Sequence, residues 1–155
     1  MLIRPVEPGD YDEWLRMRLL LWPEHSPEEL RVEMVEIVSD RTNAIYVAVR
    51  PDGSLGGFIE TSQRKYAEGC HTSPVGYIEG WYVDPDLRAQ GIGRGLVRTA
   101  ESWAKASGLS EMASDCELEN QVSLNAHLAL GYEEVERLIQ FRKSLIEDEI
   151  EEENR

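Results

Sequence analysis

Apolar residues recur along this chain in two rhythms, one helical and one alternating. Leu2 to Pro5 is long enough only for a strand. Beyond Asp10, the residues Trp14, Met17, Arg18 and Leu21 fall near one face, which predicts a helix opening at Asp10, with Glu13 at capping-box spacing, and ending just after Trp22 because Pro23 cannot continue it. Ser26-Pro27-Glu28-Glu29 is a second start signal, with a capping hydroxyl, Pro at the first helical position and Glu at the third; Leu30, Met34, Ile37 and Val38 supply its apolar stripe. The rhythm then shortens. Ala44 to Arg50 (AIYVAVR) and Leu55 to Ser62 (LGGFIETS), joined by the turn residues Pro51-Asp52-Gly53-Ser54, predict a hairpin. After a loop from Gln63 to Pro74, Val75 to Val83 (VGYIEGWYV) is a third long strand, closed by Asp84-Pro85-Asp86. Gly91 to Ser107 reads as a helix with Ile92, Leu96, Ala100 and Trp103 towards the core and Gly108 as its stop. Glu111 to Ser114 is a short strand, Gln121 to Leu130 a helix ending at Gly131, and Tyr132 to Glu136 and Leu138 to Leu145 are predicted as two closing strands. Strands and helices are mixed without internal repeats, so the class is α/β or α+β, in one domain.

Composition narrows the partners. At 155 residues and 41% hydrophobic the chain can bury a substantial core. Its 30 acidic against 16 basic residues leave a formal charge of −14, a field that disfavours nucleic acid and anionic membrane and suits a cationic small molecule or an acid-tolerant protein partner. Part of that charge lies in residues 147–155, EDEIEEENR, where six acids and one base give −5; this segment is expected to be a disordered tail on a domain spanning residues 1–146. Cys70 and Cys116 are too few and too far apart for a disulfide framework or a zinc site, so no metal is expected. No targeting segment or long apolar run stands at the N-terminus, and the expected location is cytoplasmic.

The chemistry is concentrated in Trp81 to Val97, WYVDPDLRAQGIGRGLV, where a strand gives way through Arg88-Ala89-Gln90-Gly91-Ile92-Gly93 to a helix. Glycine at such a junction lets backbone approach a ligand, and the unpaired N–H groups of a first helical turn suit phosphate. Residues 88–105 carry Arg88, Arg94, Arg98 and Lys105 against Glu101, a +3 island in an acidic chain. The spacing of Gly91, Gly93 and Gly95 does not fit a dinucleotide fingerprint, and Leu96 stands where a nucleotide-triphosphate loop needs Lys. A helix start with glycines for close packing is the plain alternative.

Arg88-x-x-Gly91-x-Gly93 after a strand resembles the acetyl-coenzyme A loop of the GNAT N-acetyltransferase superfamily, and Asn120, Ser123, His127, Gly131 and Tyr132 resemble its later motif. The likeness runs over residues 1–145. It implies an α+β fold with a twisted, mostly antiparallel central sheet of about seven strands and about four helices. Leu21-Trp22-Pro23, Tyr66 to Val75 (YAEGCHTSPV), Glu79-Gly80, Glu111 to Asp115 (EMASD) and Glu133 to Arg137 (EEVER) resemble, more narrowly, the aminoglycoside 6'-N-acetyltransferases. By that resemblance Trp22, Tyr66, Glu79, Asp115 and Glu136 bind the aminoglycoside, while Trp81, Tyr82 and Val83 (through their backbone), Arg88, Ala89, Gln90, Gly91, Ile92, Gly93, Arg94 and Asn120 hold acetyl-CoA. A homodimer, in some relatives with exchanged C-terminal strands, is implied too.

Such a substrate needs carboxylates for its ammonium groups and flat apolar faces for its rings. Residues 107–137 hold seven acids against Arg137, a net −6 beside the +3 segment. Read alone, Trp22 is better suited to the core, capping the first helix, than to a cleft, and Glu79 inside its strand points either to solvent or into a cleft. The expected reaction is direct attack of the neutral 6'-amine on the thioester, with Glu79 or Asp115 taking the proton, in part through water, and a main-chain N–H near Val83 stabilising the oxyanion. His127 stands where many of the superfamily carry Tyr; its two readings are proton donor to the departing thiolate and a residue that packs in or lines the coenzyme channel, and the second is expected. A covalent route through Cys70 or Cys116 lacks an orienting group. Competing readings are a GNAT enzyme for a polyamine or protein amine and a non-catalytic acyl-CoA sensor.

Overall fold

The computed structural model describes residues 1–147; the proposed acidic tail lies, apart from Glu147, outside the described residues. Five strands, β1 (Leu2–Pro5), β2 (Ala44–Val49), β3 (Leu55–Arg64), β4 (Val75–Val83) and β5 (Met112–Ser114), form one sheet in sequential order. The first three pairings are antiparallel and β4 with β5 is parallel. Helices α1 (Tyr11–Leu21) and α2 (Pro27–Ser39) cover one face; α3 (Ile92–Ala106) and α4 (Gln121–Ala129) follow the long strands. None of the described helices is long and apolar enough to cross a membrane.

Alternation sorts the strands between two cores. Val47, Phe58 and Tyr82 join Trp14, Met17, Leu30 and Met34 under α1 and α2. Ala48, Ile59 and Ile78 join Leu96, Val97 and Ala100 under α3. Ser26 caps α2 as its sequence predicts, its Oγ accepting from Glu29 N at 3.2 Å. Asp10 does not cap α1 with its side chain: the carboxylate turns to Arg4 (2.6 and 3.0 Å) and to Glu7 N (2.8 Å), because a nearby guanidinium outcompetes the helix's own amides.

Two irregularities shape the interior. β3 and β4 slip between Glu60 and Thr61, which oppose Gly80 and Ile78, so Glu79 is the extra residue of a bulge. The slip reverses the alternation of β4. Ile78 faces α3; beyond the bulge Gly80 and Tyr82 face α1, and Trp81 faces α3. The second irregularity is that β5 pairs with β4 over only three residues, Gly76 to Ile78, after which the two strands part.

The two closing strands expected at Tyr132 to Glu136 and Leu138 to Leu145 are absent among the described residues, so the sheet has five strands rather than about seven. In the second of them the apolar side chains have nothing among the described residues to pack against: Phe141 is 92% exposed, and Ile139, Leu145 and Ile146 are similarly bare. A strand needs a partner ladder, and the described residues do not provide one here.

Candidate active site

A cleft of about 450 Å³ opens on the α1/α2 face, lined by Arg18 and Trp22 from α1, Glu33 and Glu36 from α2, Glu60 from β3 and Glu79 from β4. Trp22 ends α1, half-buried, with its ring against Gly80; a Cβ at Gly80 would stand 2.7 Å from Cη2. Glu79 is fixed by Ser62 Oγ, which donates to Oε1 at 2.6 Å, and by Arg64, which donates to both oxygens at 2.9 and 2.7 Å. The same guanidinium lies 3.5 Å over the Tyr77 ring, and the Tyr77 hydroxyl donates to Asp115. Burial and that carboxylate push the Tyr77 hydroxyl far up, so it stays protonated and a donor. Glu79, on β4, and Asp115, just beyond β5, thus belong to one cluster through Arg64 and Tyr77. Ser62, Arg64 and Tyr77 had not been singled out, although an Arg and a Tyr on the strands flanking a candidate carboxylate are the natural signal.

Tyr66, 65% exposed, stands in the loop before β4. Beyond α4 the chain returns along this loop, with Val135 against Gly69, and brings the Glu136 carboxylate near enough to help raise the Tyr66 hydroxyl, although Glu68 does more. Glu111 pins the other side of the loop by accepting from His71 N (2.8 Å) and Thr72 N (2.7 Å). Among the described residues no hydrogen bond joins the Tyr66 and Glu136 pair to the Glu79 cluster.

On the far side of β4 lies the second half of the site. The backbone of residues 79–83 has lost β5 as a neighbour, and Asp84 to Gly91 leads from it into α3. Ala89 (φ 60°) and Gly91 (φ 83°) are left-handed, which turns successive backbone amides to one side as an anion-binding nest ahead of the first turn of α3. The glycines divide their work. Gly91 has open space around it and is needed for its φ; at Gly93 a Cβ would press on Trp81 at 3.2 Å, and at Gly95 on Ile3 at 2.9 Å, so those two serve packing. Asp84 and Asp86 are gripped by Arg50 (2.7 to 3.0 Å), and Asp84 also by Arg16, so the turn entering the loop is held from behind. Arg88 donates Nε to Val83 O at 2.9 Å and Gln90 Nε2 to Asp86 O at 3.0 Å. Asn120 caps α4 by accepting from Ser123 N at 3.0 Å.

Residues 11–132 match the Acetyltransferase (GNAT) family. The chain belongs to that family. Acetyl-CoA is therefore its acyl donor, and the nest, the helix start and the +3 segment fit a pyrophosphate-bearing group. The acetyltransferase is 47% identical over 147 residues to an aminoglycoside N(6')-acetyltransferase type 1 from Klebsiella aerogenes, covering 93% of this chain and 97% of that one. It is 38% identical to the protein of the same name from Stenotrophomonas maltophilia, over 92% and 93% of the two chains. Its fold superposes on the aminoglycoside antibiotic 6'-N-acetyltransferase AAC(6')-Ih from Acinetobacter baumannii with a TM-score of 0.85 at 37% identity, over 93% and 98% of the chains. It superposes on AAC(6')-Iy, solved with the bisubstrate analogue CoA-S-monomethyl-acetylneamine, at 0.86 and 36% identity, over 92% and 97%.

His127 of the acetyltransferase packs edge-on against Trp81 (5.4 Å) and Tyr132 (5.8 Å), with Nδ1 2.7 Å from Ser123 O and Nε2 2.8 Å from Ser114 Oγ. The carbonyl fixes Nδ1 as a donor, so in the neutral ring Nε2 accepts from Ser114. Cys70 and Cys116 are both free thiols.

Proposed function

We infer that this acetyltransferase is an aminoglycoside 6'-N-acetyltransferase that confers antibiotic resistance, acting in the cytoplasm as one catalytic domain over residues 1–146. The observation that carries the reading is the placement of a carboxylate-lined cleft with an aromatic wall, Trp22, on one face of β4, while the same strand runs into the donor loop. The names of the relatives agree with it.

Bound acetyl-CoA supplies the activated acyl group. The backbone of Trp81 to Val83, the loop Arg88 to Arg94 and Asn120 would hold it, and a β4 amide near Val83 would stabilise the oxyanion that develops on the thioester oxygen. Trp22 and Tyr66 offer flat faces to the sugar rings, and Glu79, Asp115 and Glu136 take ammonium groups. Glu79 or Asp115 accepts the proton of the attacking amine, in part through water. Arg64 serves the reaction by holding Glu79 in one rotamer and by keeping Tyr77 against Asp115. No acyl-enzyme forms. The exposed segment 138–146 supports a homodimer in which it pairs with a second copy and covers Phe141, Leu145 and Ile146.

Coenzyme release in a thiol assay with kanamycin, with spermidine and with no acceptor tests the activity: turnover with kanamycin alone is expected. Turnover with spermidine only, or coenzyme binding without turnover, overturns it. Sedimentation before and after removal of residues 138–155 tests the dimer, and expression in a susceptible bacterium tests the resistance.

A further inference from the structure

We propose that Arg18 is a positioning residue for the acceptor cleft, a buried flat cation that backs Trp22 and fixes where that ring stands. The inference rests on the reading of the cleft as the acceptor site.

Arg18 sits on the apolar face of α1 and is 2% exposed; Glu60, on the facing strand, is 3% exposed. Arg18 Nε donates to Glu60 Oε1 at 2.6 Å and Nη2 to Oε2 at 3.4 Å. Nη1 donates to Leu30 O at 3.1 Å, and Nη2 also to Glu33 Oε2 at 3.1 Å. Four of the five donors of the guanidinium are thereby committed, in directions set by α1, α2 and β3 together. Trp14 Nε1 donates to Glu60 Oε1 at 3.0 Å and locks the carboxylate in turn. The cation so fixed lies between two indoles, 4.9 Å from the ring of Trp22 and 5.8 Å from that of Trp14.

Stability alone gives no reason for this arrangement. Buried ion pairs can commonly be exchanged for apolar or neutral groups of similar volume at no loss, and this site is surrounded by Leu30, Phe58 and Met17, which would pack well against such groups. Geometry gives the reason. Trp22 ends its helix, where nothing in the helix ladder fixes the ring, and its outer edge, at Cη2 and Cζ2, meets Gly80 with no room to spare. A planar cation is attracted to the ring face, and Arg, unlike Lys, can stack flat while its edge remains bonded to carboxylate and carbonyl. The cleft wall is thus held between Arg18 and Gly80.

The test is the double variant Arg18→Met with Glu60→Gln, which removes both charges and keeps an acceptor for Trp14, set beside Arg18→Lys, which keeps the charge and loses the plane. Both should fold, with the double variant melting no lower than the native chain. Each should raise the kanamycin KM at least tenfold while the acetyl-CoA KM stays within twofold. An unchanged kanamycin KM in the double variant overturns the proposal. Independently of turnover, the ¹⁵N order parameter of the Trp22 indole, assigned with Trp22→Phe, should leave the rigid range near about 0.85 in the double variant. If the native chain does not acetylate kanamycin at all, the acceptor reading falls; a rigid Trp22 indole in the charge-free variant sinks the positioning role in either case.

Discussion

Gly80→Ala perturbs the cleft by one methyl group. Although Gly80 adjoins the bulge, its φ lies outside the left-handed region, so Ala is allowed there and the effect is one of space. The new Cβ would lie 2.7 Å from Trp22 Cη2, 3.2 Å from Cζ2 and 3.5 Å from Glu60 Oε2. Carbon atoms in contact prefer about 3.5 to 4.0 Å, so the ring must retreat by about 1 Å. It is a rigid indole, with the Arg18 guanidinium already 4.9 Å over its ring. Overpacking of this kind costs about 1–3 kcal/mol, and at about 2–4 °C per kcal/mol for a chain of this size Tm should fall by several degrees. A misplacement of about 1 Å in a binding group can lower kcat/KM by on the order of 100-fold. Steady-state kinetics should therefore show that loss for the aminoglycoside, with the acetyl-CoA KM within a factor of about two, since the donor loop begins only beyond Val83, three residues on from Gly80. Wild-type kcat/KM for the aminoglycoside in Gly80→Ala would refute the reasoning, because it would show that Trp22 does not form the working wall of the cleft.

Gly91→Ala makes the opposite test: no atom stands within 4 Å of the added Cβ, but φ is 83°, so the cost is about 1–2 kcal/mol of backbone strain and the kinetic signature should be a higher acetyl-CoA KM with the aminoglycoside KM kept. Tyr77→Phe removes the donor to Asp115; urea melts should show a loss of about 1.5–3 kcal/mol, as for hydrogen bonds to charged groups, and aminoglycoside kcat/KM should fall. Glu111 is held below the ordinary carboxylate value, first by the Thr72 hydroxyl and then by the His71 and Thr72 amides. Its contribution is fully present above the unfolded value near 4.5 and is lost as pH falls through the lower folded value; protease nicking of the loop carrying Tyr66 should therefore appear below that value in the native chain and at neutral pH in Glu111→Gln. Raising salt should increase the aminoglycoside KM more than the acetyl-CoA KM, because the proposed acceptor contacts are charge pairs with Glu79, Asp115 and Glu136, whereas the donor is met largely by backbone amides.

What the sequence disclosed depended on how local the cause was. Ser26 and Pro27 start α2 through contacts within four residues, and β4 has its expected bounds because nine residues of strand-forming chemistry sit between two turns. Asp10 failed as a side-chain cap because Arg4, on another element, bound it first. The bulge at Glu79 was invisible because register belongs to two strands at once, and with it the fact that Glu79 and Gly80 serve the same face. Arg18 and Glu60 each break an apolar pattern, which announces a buried partner without saying which. The loop was found through its glycines, yet Gly91 alone is there for its backbone angle. The closing strands misled because alternation records that a face will be covered, and not whether the cover comes from the same chain.

One strand carries both halves of the site, and that has a consequence for timing. From the Glu79 bulge to Trp81 is two residues, about 7 Å at the ordinary rise of ~3.3 Å per residue. On the proposed reading, donor and acceptor are thus spaced by covalent bonds along one of the sheet's long strands, not by the closing of a lid or the swing of a domain. β4 acts as a ruler. An enzyme built this way needs no conformational step to align its two substrates, so its turnover should be set by proton removal or product departure, and a relative with a different acceptor can arise by exchanging the cleft's side chains while the ruler stays as it is.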